Sequence, residues 1–195
     1  METEIAKYLY EIGQLKRVKR SGWWIAGIAD PESVAEHSFR TAVIAYLLAE
    51  LEGADTERTT FMALFHDAGE ARTNDPHRIA RRYIDWENGD KKVVEDQSKR
   101  LPEIIGDRMI ALHSEFEEAH SLEARIARDA DLLECLIQAR EYQAAGCYDV
   151  SDWISNARAA LLTDSAKKIA EACMETDPRE WWQGLKKKSS VISNQ

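Results

Sequence analysis

The sequence predicts an all-α protein folded as a single helical bundle, and three observations carry that expectation. Only 9 glycines and 4 prolines punctuate the 195 residues. Apolar residues recur at helical spacing through almost every long segment instead of alternating as they do in a half-buried strand. Several segments also open on helix-capping signatures.

Taken in order, Ile5, Leu9, Ile12 and Leu15 mark a first helix that stops near the basic stretch Lys16 to Arg20, ahead of Ser21 and Gly22. Ser33-Val34-Ala35-Glu36 fits a capping box, in which Ser33 satisfies a free backbone N–H and Glu36 reaches back to the cap. It opens a helix to roughly Leu51. Gly53-Ala54-Asp55 turns into a third helix that carries MALFHDAGEAR (residues 62–72) and is expected to end near Thr73. Asp75 precedes Pro76 and is thereby pushed out of helical conformation. A further helix is expected through Arg78, Arg81 and Arg82, with a turn at Glu87 to Asp90.

Leu101-Pro102 breaks the next helix. Ser121 begins a long one through Ala145, with Leu122, Ile126, Leu133 and Ile137 on its buried side. Asp152 to Cys173 supplies one or two more, and Asp177-Pro178-Arg179-Glu180 starts a short final helix. The expected organisation is one domain over residues 1–185 and a frayed tail over residues 186–195.

Bulk properties narrow the function. A hydrophobic content of 44% supports a sizeable core in a chain of this length. No apolar run approaches the ~18 to 20 residues that cross a bilayer, and METEIAKYLY lacks the regions of a signal peptide, so a soluble, cytoplasmic protein with no membrane partner is expected. Cys135, Cys147 and Cys173 show no C-x-x-C spacing, and the odd count fits free thiols in a reducing compartment. A net charge of -9 argues against long nucleic acid as a partner, while leaving room for a small anion in a local basic pocket.

The chemistry concentrates in a few titratable residues set among apolar ones. On a helix turning about 100° per residue, His66, Asp67 and Glu70 present an imidazole and two carboxylates to a common point. An HD dipeptide alone reads equally as a satisfied core histidine with carboxylates at a solvated edge. His37 lies at the polar start of the preceding helix, and Asp131 sits amid Ile126, Ala130, Leu132 and Leu133, where a carboxylate needs a partner.

The order His37, His66-Asp67, Asp131 resembles the HD superfamily of metal-dependent phosphohydrolases. With GQLKRVKRSGWW, PESVAEHSFR, ALFHDAGEARTND and EARIARDADLLECLIQAREY in sequence over about residues 12–143, the chain is similar to its small 5'-deoxynucleotidase branch. That resemblance implies an HD-domain helical bundle with a metal site between core helices. His37, His66, Asp67 and Asp131 would hold one divalent transition metal ion, and this mixed nitrogen and oxygen set suits Mn, Co, Zn or Fe.

The resemblance further implies catalytic roles for Glu70 and Asp75. One passes a proton to the departing 5' oxygen and the other positions or deprotonates the attacking water, in either assignment. Taken alone, Asp75 also reads as the cap of a helix after Pro76. Arg20 and Trp23 match the family's nucleotide-contacting Arg and Trp, here separated by Ser21-Gly22; a surface Arg beside a core Trp pair is the other reading. Arg78, Arg81 and Arg82 read as a solvated face, and His77, His113 and His120 match no motif role.

The implied activity is hydrolysis of deoxyribonucleoside 5'-monophosphates by a homodimer, with Trp153, Trp181 and Trp182 as surplus aromatic surface for an interface. Three alternatives stay open: another HD phosphohydrolase acting on a cyclic nucleotide, a dNTP or an alarmone; a non-catalytic nucleotide-binding regulatory module; and an all-α interaction protein with incidental polar core residues.

Overall fold

A computed structural model describes residues 1–147 and 149–186, and among these the fold is helical, without strands. Its first half holds α1 (Glu2–Ile12), α2 (Gly22–Ile25), α3 (Val34–Glu52), α4 (Thr56–Phe65) and α5 (Glu70–Thr73). The second half holds α6 (Trp86–Ser98), α7 (Glu103–Glu118), α8 (Leu122–Ala144), α9 (Ser151–Ala160), α10 (Asp164–Glu175) and α11 (Glu180–Gln183). Short 3-10 turns cover Gly13–Lys16, Ala80–Arg82 and Gly184–Lys186.

The caps read from the sequence form. Ser33 Oγ accepts from the Glu36 N–H at 3.2 Å while the Glu36 carboxylate accepts from the Ser33 N–H at 2.6 Å, closing the capping box at the head of α3. Such a cap contributes about 1 kcal/mol and fixes where the helix begins, hence where His37 points. Ser121 caps α8 in the same way, accepting from the Ala124 N–H at 3.1 Å.

The core is built on α3, α4 and α8, with α7, α9 and α10 packed around them. Ala45 and Ala49 of α3, Ala63 of α4, and Ala127 and Ala130 of α8 are fully buried, and their small side chains let the three axes approach. Leu48, Met62, Ile126, Leu133 and Leu136 fill the space between. Each such burial stabilises by about 1.5–3 kcal/mol, so the scaffold around the polar residues is the firm part of the molecule. A smaller cluster, Leu15, Val18 and Val34, fastens the N-terminal segment to α3. There Lys19 and Ser33 form a single antiparallel bridge, with the Val34 N–H on the Val18 carbonyl at 2.9 Å and the Arg20 N–H on the Glu32 carbonyl at 3.0 Å. Arg20 is thereby carried alongside the first turn of α3.

Several expectations are corrected. The third helix does not run to Thr73: α4 ends at Phe65 and α5 begins at Glu70, with His66 to Gly69 between them. The N–H groups of Ala68, Glu70 and Arg72 bond three residues back instead of four, a tighter winding that brings side chains three apart into register. Gly69 admits α6 at this break, since a Cβ there would sit 2.5 Å from Asp90 Oδ1. The stretch through Arg78, Arg81 and Arg82 is no α-helix but an irregular strap with one 3-10 turn, and Glu87 to Asp90 lies inside α6. Leu122, expected on the buried side of α8, is 42% exposed, while Ile126 and Leu133 are buried as expected; in α1 Tyr8, not Leu9, is the buried residue. The final helix starts at Glu180, two residues beyond Pro178. The expected tail lies, after Lys186, outside the described residues. No helix among the described residues is long and apolar enough to cross a membrane.

Candidate metal centre

His37 leaves the first turn of α3, His66 and Asp67 leave the turn that closes α4, and Asp131 leaves α8 one turn after Ala127. Three helices packed through alanines thus bring four donor groups to one point. Asp131 Oδ1 lies 3.1 Å from His37 Nε2 and 3.9 Å from His66 Nε2. Asp67 Oδ2 lies 3.1 Å from His66 Nε2 and 3.7 Å from His37 Nε2.

The far side of each imidazole is already committed. His66 Nδ1 lies 2.7 Å from the Ala63 carbonyl, which only accepts, so Nδ1 carries the proton and a neutral ring offers Nε2 as a lone pair. His37 Nδ1 lies 2.6 Å from the Glu134 carboxylate, with the same consequence. His66 Nε2 and Asp131 Oδ1 are buried without a hydrogen-bond partner, an arrangement that costs about 1–3 kcal/mol per group unless something else satisfies them. Two imidazole nitrogens and the Asp67 carboxylate lie close enough to share an ion, with Asp131 Oδ1 beside both nitrogens, and this mixed donor set fits a borderline metal ion.

Electrostatics point the same way. Burial and the Arg20 charge press the His37 imidazole down, yet Glu134 and Asp131 outweigh them and raise it to about 10. Burial opposes protonation of His66 too, but Asp67 and Asp131 lift it above its ordinary value. Against the opposing effect of burial, His66 and Arg20 hold Asp67 far below the carboxylate range, and His37 and His66 hold Asp131 at about 2. The site therefore demands positive charge, which protons or a metal ion supply in competition.

Arg20 closes the open side. Its Nη1 lies 3.1 Å from Asp67 Oδ2, and its Nη2 lies 3.8 Å from Asp131 Oδ1 and donates to Cys135 Sγ at 3.4 Å. Beyond Arg20 stand two more carboxyl groups. Glu70, 1% exposed, has both oxygens buried without a hydrogen-bond partner, and burial followed by the Asp67 and Asp75 charges drives its carboxyl well above the ordinary value. Asp75 does not cap a following helix. Its Oδ2 accepts from the Ser21 N–H at 3.1 Å, and its carbonyl accepts from Ser21 Oγ at 2.5 Å, tying the loop back to the N-terminal segment. Asn74, at φ 59° and ψ 175°, supplies the reversal, a conformation disfavoured for any residue but glycine.

Trp23 is not brought to this cluster. It is 2% exposed, stacked on Trp153 at 5.5 Å and edge-on to Tyr142 at 5.2 Å, with its indole N–H on Glu32. Trp23, expected to face a nucleotide, is a core residue here, and Trp153, half-buried, packs against the same core. Conversely, Arg81 is not merely a solvated cation: its Nη2 lies 3.6 Å from Glu70 Oε1 and 3.8 Å from Asp75 Oδ1, and its guanidinium covers the Trp86 ring at 4.6 Å. The signal in the sequence was its place in the strap that follows Asp75.

This fold and cluster define an HD-domain protein. The family model described as HD domain matches residues 12–173, and the chain belongs to that family. Among curated relatives, the 5'-deoxynucleotidase HDDC2 of Bos taurus is 31% identical over 142 residues, covering 71% of this chain and 68% of the relative. Among solved structures, a conserved hypothetical protein from Pyrococcus furiosus superposes with a TM-score of 0.74 at 32% identity, covering 88% of this chain and 99% of its own. A protein from Pyrococcus horikoshii gives a TM-score of 0.75 at 28% identity, over 87% and 98%.

Proposed function

We propose that the protein is a metal-dependent 5'-nucleotidase that hydrolyses deoxyribonucleoside 5'-monophosphates to deoxynucleoside and phosphate. The observation that carries this reading is the convergence of His37, His66, Asp67 and Asp131 beside a buried arginine and two further carboxyl groups. The deoxynucleotidase relatives support the choice of substrate class.

A divalent Mn, Co, Zn or Fe ion held by those four residues would supply Lewis acidity, polarising a phosphoryl oxygen and acidifying water. Arg20 presents a guanidinium fork whose two parallel donors match two phosphate oxygens. Asp67, Asp75 and Asp131 surround that guanidinium beside the donor cluster, and a bound phosphate would take over part of these contacts. Glu70, kept protonated by burial, donates to the departing 5' oxygen. Asp75, oriented by the Ser21 N–H, takes the proton of the attacking water. Water and monophosphate are thereby converted to alcohol and phosphate with one proton gained and one lost at the protein.

The deciding experiment is a phosphate-release panel of dAMP, dCMP, dTMP and the matching ribonucleotides with each divalent metal. Free phosphate from the deoxy series, with little from the ribo series, is the expected result. Pyrophosphate or tripolyphosphate released from a dNTP would reassign the substrate.

We also infer one HD domain over residues 1–185, a cytoplasmic location consistent with the three free cysteines, and a homodimer. The outer face of α3 supports the last: Phe39, Val43, Tyr46, Leu47 and Leu51 are all at least 45% exposed along one stripe. Sedimentation of Val43→Asp/Leu47→Asp as a monomer is the expected check.

A further inference from the structure

His37 is held from behind by a buried chain that none of the proposed catalytic steps uses. Glu134, fully buried one turn beyond Asp131 on α8, places Oε2 2.6 Å from His37 Nδ1. Its other oxygen, Oε1, accepts from Arg40 Nε at 2.9 Å and lies 2.8 Å from Arg40 Nη2. Arg40 spends its remaining donors on the same helix, Nη2 on Gln138 at 2.7 Å and Nη1 on Glu141 at 2.9 Å. His37 and Arg40 are three apart on α3; Glu134, Gln138 and Glu141 follow a four-three spacing on α8. The two helices therefore meet through one row of donors and one row of acceptors.

We propose that Glu134, backed by Arg40, is the positioning residue that sets His37 as an Nε2 ligand and sets the affinity of the centre for its ion. Two facts separate this role from that of a ligand. Oε2 is already occupied by an imidazole N–H, and Oε1 is already occupied by a guanidinium. An anionic acceptor on Nδ1 has two effects on the opposite nitrogen. It fixes the tautomer, so the lone pair is always on Nε2, and it raises the basicity of that lone pair. Arg40 binds the other carboxylate oxygen and so fixes the group against the ring nitrogen. The alternative is that the pair serves only to dock α3 on α8, in which case the charge on Glu134 is irrelevant to metal and an uncharged pair of the same shape would do as well.

The inference rests on the metal-centre reading of His37 and is tested without nucleotide. The metal-stripped full-length chain is titrated with Co(II), followed by its visible absorption, in competition with a chromophoric chelator. Glu134→Gln is expected to weaken binding about 10- to 100-fold, the usual effect of losing such a partner. Because Glu134→Gln leaves Arg40 facing an amide N–H, the double variant Glu134→Gln/Arg40→Gln restores a neutral, mutually bonded pair. Its melting temperature should recover towards the wild type while Co(II) affinity stays reduced. Recovery of both together would show a docking role alone and overturn the proposal, as would unchanged affinity in Glu134→Gln. Wild-type protein that binds no Co(II), Mn(II) or Zn(II) would overturn the metal centre and this inference at once.

Discussion

Arg20 Nη1 and Asp67 Oδ2 lie 3.1 Å apart, joining the N-terminal segment to the turn that closes α4 across 47 positions of sequence. The pair makes the arginine part of the wall of the His37, His66, Asp67 and Asp131 cluster and not a surface cation that happens to be nearby. Arg20→Ala is expected to lower kcat/KM for deoxynucleotides about 10²- to 10³-fold, the range seen when one preorganised donor to a developing charge is removed. Arg20→Lys should recover little, because an ammonium cannot make the paired contact. Steady-state kinetics beside a metal titration checks this: unchanged metal binding in Arg20→Ala locates the loss in substrate handling.

Glu70 sets activity against stability. Its carboxyl is raised by burial and by Asp67 and Asp75, so the folded state holds the proton more tightly than the unfolded state, whose carboxyl titrates near about 4.3. The stabilising contribution is complete below that value and is lost as pH rises through the folded-state value. Glu70→Gln removes the loss, and should raise the melting temperature of metal-free protein at pH 8 relative to pH 4 when compared with the wild type. The same substitution should lower kcat about 10²- to 10⁴-fold. A variant that is less stable and fully active would remove Glu70 from proton transfer.

Metal removal has a calculable thermal signature. An ion present at 100 times its Kd and binding only the folded chain adds about 2.7 kcal/mol. For a domain of this size that corresponds to about 5–11 °C in Tm. His66→Ala and Asp131→Asn should each erase the shift in a calorimetric scan with and without chelator, and elemental analysis should find the purified variants depleted of metal.

Gly69 lies in the break between α4 and α5, packed against α6. A Cβ there would lie 2.5 Å from Asp90 Oδ1, so the carboxylate whose Oδ2 sits 2.7 Å from His113 Nε2 must shift. Gly69→Ala should cost about 1–3 kcal/mol in denaturant melts. Combined with Asp90→Ala, which opens the space, the cost should fall well short of the sum of the two single losses.

Helix content and the starts of α3 and α8 were legible because they are local: a period, a serine at each start and, for α3, a glutamate three residues on. The proposed ligand set could be assembled from the sequence only through resemblance. Each of its residues taken singly also has an ordinary structural reading, and what distinguishes them is the convergence of helices far apart in the chain. The break after Phe65 was not legible because no glycine, proline or capping signature marks its start, and the i to i−3 bonding that defines it is a property of the folded backbone. Arg81 and Glu134 escaped for another reason. A charged residue on a helix reads as solvated until the partner that buries it, such as Arg40 for Glu134, is placed beside it. For Trp23 the resemblance pointed to the nucleotide and the residues alone allowed a core ring; in the structure the ring packs on Trp153 and Tyr142.

The four donors reach one another only when α3, α4 and α8 are docked together, since His37 and Asp131 approach to 3.1 Å from opposite halves of the chain. An ion captured there recognises the finished bundle and not any fragment of it, and it withdraws folded molecules from the pool open to proteolysis. Metal supply would then govern how long each molecule survives in the cell as well as how fast it turns over substrate. Scarcity would be registered as a falling protein level, and pulse-chase degradation under chelation is the place to see it.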